Sequence, residues 1–123
     1  MSEYGSALFD RRQYPRLDAE IPFAYEVSEQ TLPGGLTANI SLGGLLVMLP
    51  QRQKPGDILE LTIHLPAGEK SPGALKVRAE VVWSQPVESK EGWSCQAGLR
   101  FFEMPPESFL VWREFLAQWY QRR

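Results

Sequence analysis

The sequence holds one cysteine, Cys95, and one histidine, His64. A lone cysteine excludes an intrachain disulfide and suits a reducing compartment. The pair is too small to build a zinc-type ligand cluster, so no metal site is expected. No apolar run approaches the ~20 residues that cross a bilayer, so no membrane insertion is expected. The first ten residues, MSEYGSALFD, lack the basic start and apolar centre of a secretory signal. A cytoplasmic location follows from these absences. A charge excess is also missing: 13 Lys and Arg stand against 15 Asp and Glu, a net charge of -2. A general nucleic-acid binder needs a broad basic face, which this balance does not supply.

Catalytic groups are equally sparse. His64 sits mid-strand beside Thr62 and Glu60 and reads as an ordinary surface residue. Cys95 alternates onto one face with Trp93 and Leu99 and reads as a small buried apolar residue, not an activated thiol. Gly43-Gly44 has no following Lys-Ser/Thr and is no Walker loop. No catalytic residue and no cofactor are expected.

What is present is ordinary globular material. The chain has 123 residues, 43% apolar and 23% charged, enough for one core without metals or disulfides. Period-2 patterning predicts a first strand over 19–27, with Ile21, Phe23, Tyr25 and Val27 on one face. Ser28 to Gly34 reads as a turn punctuated by Pro33-Gly34-Gly35. Strands follow at 36–40 and 45–49, then 58–65, then 74–83 with Leu75, Val77, Ala79, Val81 and Trp83 facing together, and last 93–102. Pro66 to Gly73 is a flexible connection. About six closely spaced strands favour an antiparallel barrel or sandwich.

After Pro105-Pro106 the period changes. Phe109, Trp112, Leu116 and Trp119 recur at helical spacing, with Glu107 near the start and Arg122-Arg123 at the finish, charges that suit the helix dipole. Such a stripe needs burial, and covering an end or side of the barrel meets that need. The organisation is one domain: an N-terminal arm with an arginine loop (1–18), a barrel (19–104) and a C-terminal helix (105–123).

Two segments carry hydrogen-bonding chemistry. In Asn39-Ile40-Ser41-Leu42-Gly43-Gly44, strand alternation sets Asn39 and Ser41 on one face over an apolar floor. The two glycines mark a bulge, a turn or a close approach to the backbone. The plain alternative is a hairpin whose polar side chains satisfy their own backbone and whose glycines supply positive φ. Upstream, Asp10-Arg11-Arg12-Gln13-Tyr14-Pro15-Arg16 places three arginines in six residues, and Pro15 disfavours a helix there.

Together these segments resemble the PilZ domain, a bacterial module that binds the second messenger cyclic di-GMP. Arg12 and Arg16 match its RxxxR motif, and Asn39, Ser41 and Gly44 match its [DN]xSxxG motif. The resemblance spans about residues 9–120 and implies an all-β fold, a six-stranded antiparallel barrel with a C-terminal helix. It implies a site in which Arg12 and Arg16 fork onto guanine O6 and N7 or stack on a base. Asn39 and Ser41 then meet guanine and phosphate, and Gly43-Gly44 keep the floor clear of a Cβ. An arginine at position 11 goes, by resemblance, with an intercalated dimer of the messenger; a solvated surface residue is the alternative. Arg100, in Gly98-Leu99-Arg100-Phe101, either faces the phosphates or makes a cross-strand ion pair. The expected action is ordering of the arm over the ligand, which changes the surface offered to an unidentified protein partner. The competing readings are an adaptor that never binds nucleotide and, less favoured, a small barrel for single-stranded nucleic acid.

Overall fold

The apolar alternation becomes strands wherever it is strict. The computed structural model of the chain describes residues 16–27, 30–65 and 73–121. Arg11, Arg12 and the rest of the arm through residue 15, most of the connection at 66–72, and Arg122-Arg123 lie outside the described residues. The elements are β1 (Leu17–Asp18), β2 (Pro22–Val27), β3 (Gln30–Ile40), β4 (Gly44–Leu49), β5 (Ile58–His64), β6 (Ala74–Pro86), β7 (Cys95–Glu103) and one helix, α1 (Pro106–Gln121).

All pairings are antiparallel, in the order β1-β3-β2-β5-β6-β7-β4, and β3 also pairs with β4. That extra pairing closes six strands into a barrel and removes every long free edge. The interior is filled as the alternation predicts: Leu59, Leu61 and Ile63 of β5 meet Leu75, Val77 and Ala79 of β6, all buried. Cys95 is buried with its Sγ toward the Gln51 carbonyl at 3.5 Å, and His64 is exposed on β5.

Four local readings change. The strand expected over 19–27 starts at Pro22 and is preceded by the two-residue β1 on the same edge of β3. Thr37 sits at the break. Its hydroxyl accepts from Ile21 N at 2.8 Å and donates to the Ala19 carbonyl, while the backbone bonds from Ala19 N to the Ala38 carbonyl at 3.3 Å and from Thr37 N to the Ile21 carbonyl at 3.0 Å persist on either side. Second, Pro33-Gly34-Gly35 is no turn. It lies inside β3, where a bulge between Phe23 and Tyr25 absorbs the irregularity. A Cβ at Gly35 would strike the Phe23 ring and lie 2.9 Å from the Met48 carbonyl, so this glycine admits a core aromatic. Third, a register shift between Val81 and Trp83 moves Trp83 off the inward face, and Trp93 precedes β7.

The fourth concerns α1. Trp112, not Phe109, anchors it: Trp112 is fully buried, edge-on to Phe101 at 5.7 Å and stacked on Phe115 at 5.8 Å. Phe115 continues to Trp119 at 5.7 Å. The buried stripe is therefore Trp112, Phe115, Leu116 and Trp119, and Phe109 lies on its flank, 37% exposed. Two indoles also tie α1 down. Trp112 Nε1 donates to the Ser41 carbonyl at 3.0 Å, and Trp119 Nε1 to the Asp18 carbonyl at 3.1 Å.

Inside the barrel the Tyr25 hydroxyl is buried without a well-formed hydrogen bond. Burial pushes its pKa from 10.0 up to about 12, Cys95 adds to the rise and the Gln51 backbone opposes it. A raised folded value means the neutral phenol contributes stability that is complete below pH 10.0 and is lost as pH climbs through about 12. Denaturant unfolding should therefore show stability falling across that window by at most about 3 kcal/mol. Tyr25→Phe should remove this dependence; an unchanged alkaline slope in the variant would assign the loss to another group.

Candidate functional site

β1 brings the end of the arginine segment, Arg16, to the second motif. Leu17 pairs with Ile40 and Asp18 with Asn39. One further step of that antiparallel register sets Arg16, half-buried, opposite Ser41. The last arginine of RxxxR thus abuts the NxSxxG turn, two segments separated by all of β2 and β3.

Each motif residue owes its position to a local irregularity. In an unbroken strand Thr37 and Asn39 would share a face. A register shift between them separates the two: Thr37 is buried, whereas Asn39 is half-exposed opposite Leu46 on the outer surface. Ile40 faces the core with no exposure, and β3 ends there. The alternation expected through Ser41 stops with it. Ser41 is buried, its Oγ accepting from Gly44 N at 3.2 Å and lying 3.3 Å from the Gly44 carbonyl, which also accepts from Ser41 N at 2.9 Å. Its side chain satisfies the turn, as the plain hairpin alternative holds.

The glycines do not match that alternative. Positive φ among the described glycines occurs at Gly56, Gly73 and Gly92, not at Gly43 or Gly44. Gly44 is there because β4 and β7 nearly touch: a Cβ would collide with the Leu99 carbonyl and sit 3.2 Å from Arg100 Cα. The Gly43 carbonyl accepts from Phe101 N at 2.9 Å.

Arg100 is the register partner of both Gly44 and Glu80, and its guanidinium forms an ion pair with Glu80. Its Nε is buried without a hydrogen-bond partner. Of the two alternatives for this residue, the cross-strand ion pair forms, and the side chain stands on the outer face beside the motif turn.

One residue on this face escaped the sequence reading. Asn39 pairs with Leu46, Leu46 with Gly98, and Gly98 with Trp83, giving one cross-strand row on the outer surface. The Trp83 indole lies against Gly98, where any Cβ would strike it, and remains half-exposed. Two strand spacings, about 10 Å, separate Asn39 from this aromatic surface. The signal was the pairing of a glycine in β7 with a tryptophan in β6, which period-2 counting assigned to the interior.

A groove of about 400 Å³ lies elsewhere, lined by Glu26, Glu60, Arg78, Lys76 and Glu103 among others. Glu26, Glu60, Arg78 and Glu103 form one row across β2, β5, β6 and β7, with Arg78 committed to Glu103 at 2.7 Å. Three carboxylates make this groove unfavourable for a doubly charged phosphate ligand. No helix among the described residues is long and apolar enough to cross a membrane.

A closed six-stranded barrel with one extra strand and a C-terminal helix defines a small antiparallel-barrel domain. The PilZ domain family model matches residues 10–119. The chain belongs to the PilZ domain family, whose members are receptor and adaptor domains. Solved structures agree. The Bacillus subtilis inhibitor of motility MotI/DgrA is 25% identical with a TM-score of 0.70, covering 92% of this chain and 53% of its own, so this chain spans about half its length. The PilZ domain of YcgR from Escherichia coli, solved with cyclic di-GMP, is 16% identical with a TM-score of 0.66, covering 92% and 95%. The PilZ domain of CeSA from a cellulose-synthesizing bacterium is 16% identical with a TM-score of 0.57, covering 85% and 97%. No curated protein sequence matches significantly.

The packing at Gly44 separates stability from recognition. Gly44→Ala should destabilise the free protein by roughly 1–3 kcal/mol through overpacking against β7, measured by thermal or denaturant unfolding without ligand. Unchanged stability would show that the glycine serves only an approaching molecule.

Proposed function

We propose that this protein is a cytoplasmic cyclic di-GMP receptor that binds the messenger on the outer wall of the barrel. The observation that carries the reading is the β1–β3 register, which brings Arg16 beside Ser41 and Asn39 on a surface that also holds Arg100 and Trp83. Family membership supports the same ligand class.

In this reading Arg16 and Arg12 supply planar, permanently charged forks for guanine edges or phosphate oxygens. Asn39 presents its amide at the rim, Gly43-Gly44 form a floor without side chains, and Arg100 adds positive charge. The exposed part of Trp83 serves as a stacking surface for a base. Arg11 goes with a second, intercalated molecule of the ligand.

Ser41 sets a condition on this mechanism. Its hydroxyl is committed to Gly44, so meeting the ligand requires the 41–44 turn to open. The carbonyl of the same residue holds the Trp112 indole, and Asp18, two residues after Arg16, holds Trp119. Ligand binding therefore acts on both tethers of α1 and changes the surface offered to a protein partner. Occupancy of one face is converted into a different arrangement of the helix.

Isothermal titration with cyclic di-GMP tests the reading. A charge-assisted hydrogen bond contributes about 1.5–3 kcal/mol, so Arg16→Ala should weaken binding by roughly one to two orders of magnitude. Arg12→Ala, Arg16→Ala together should abolish saturable heat, and Trp83→Ala should weaken it while leaving the fold intact. A stoichiometry near two supports the role of Arg11. Absence of both heat and a melting shift at ligand concentrations far above micromolar would favour the nucleotide-free adaptor. Binding of single-stranded nucleic acid that collapses steeply with salt would favour the third reading.

A further inference from the structure

The side of α1 that leaves the barrel carries a second pattern. Phe109, Arg113, Leu116 and Tyr120 are spaced four, three and four residues apart, the spacing of a coiled-coil seam. At about 100° per residue they fall along one flank of the helix, beside the buried stripe. Phe109 is 37% and Tyr120 63% exposed, and Leu110, just outside the seam, is 54% exposed. Arg113, Glu114 and Ala117 are exposed, and Leu116 is half-buried. The barrel has taken Trp112, Phe115 and Trp119 and one side of Leu116, so Phe109, Leu110 and Tyr120 are the apolar side chains left to solvent.

We propose that this flank is the docking surface for a second copy of the same chain, with two α1 helices packed antiparallel about a two-fold axis. The flank is self-complementary. A spacing of four, three and four is symmetric about its midpoint, between Glu114 and Phe115. A two-fold there sets Phe109 against the partner's Tyr120 and Leu116 against the partner's Arg113, so ring meets ring at both ends.

Charge fits the same geometry. Neither Arg113 nor Glu114 makes an ion pair with a described residue; those formed are Arg78–Glu103 and Arg100–Glu80. In the antiparallel pair, Arg113 and the partner's Glu114 are offset by about 3 Å along the axis, at 1.5 Å per residue. They lie on the same, solvent-facing side of the seam. The two-fold makes this contact twice, and each arginine reaches outward to a carboxylate instead of toward the other arginine. Ala117 leaves room for the backbones to approach.

The proposal does not depend on nucleotide, and its test is run without any. Sedimentation equilibrium of the full chain from ~1 to ~200 μM should show a reversible monomer–dimer equilibrium. Arg113→Glu and Glu114→Arg should each weaken the dimer at least about tenfold, and the two together should restore it to within about threefold of the original. Circular dichroism and melting curves on each variant confirm the fold, which these exposed positions do not support. A chain that stays monomeric across the range overturns the proposal and leaves the flank to a different protein. A dimer indifferent to the single reversals, or not restored by the double reversal, overturns it as well.

Discussion

The passage from β3 to β4 is the constraint on which the rest of this molecule depends. A barrel closes only if its first and last edges meet, and here they meet through β3–β4 pairing across the four residues Ser41 to Gly44. The passage is tight because β4 must also lie against β7, so closely that Gly44 has no room for a Cβ beside the Leu99 carbonyl. Ser41 then closes the turn with its own hydroxyl, because a buried polar group left without a partner costs free energy. The NxSxxG pattern is thus a closure device before it is anything else.

That closure also explains where the helix goes. The Ser41 carbonyl, left over once the turn is made, accepts from Trp112, the largest fully buried side chain. Further along, the Asp18 carbonyl accepts from Trp119. One acceptor belongs to a motif residue and the other lies two residues from Arg16, so the helix is tethered to the backbone of the motif surface.

Much of this fold was legible because strict alternation leaves little choice. In β5 and β6 a one-residue slip would expose Leu59, Leu61, Ile63, Leu75 and Val77 together, so pattern and structure agree there. The reading failed where the ladder is interrupted. Pro33-Gly34-Gly35 read as a turn, but the bulge beside Phe23 keeps it in a strand. Trp83 read as core, but the shift after Val81 turns it outward onto Gly98. The break between β1 and β2 lies at Thr37, whose hydroxyl meets Ile21 sixteen residues away, a contact no local pattern encodes. Phe109 fitted the helical period and shares a flank with Leu116, but it sits in the first turn of α1 and is 37% exposed. The motif residues were legible as a set; what each one does in the free protein was not.

The two readings of Ser41 and Gly44, structural and ligand-binding, are not exclusive. A residue that closes a turn in the free protein and would have to reopen it for a ligand makes binding and turn geometry one equilibrium. In such a site affinity is reduced by the cost of opening, and any contact that stabilises the closed turn, the Trp112 indole included, opposes binding. An anionic ligand would have two sources of compensation. Arg16 stands next to the turn by register, and Arg100 keeps a buried Nε without a partner beside its ion pair with Glu80. The carboxylate row ends at Glu103, three residues along β7 from Arg100, whose charge is met by Glu80, so the turn beside Arg16 is the part of this wall farther from that row.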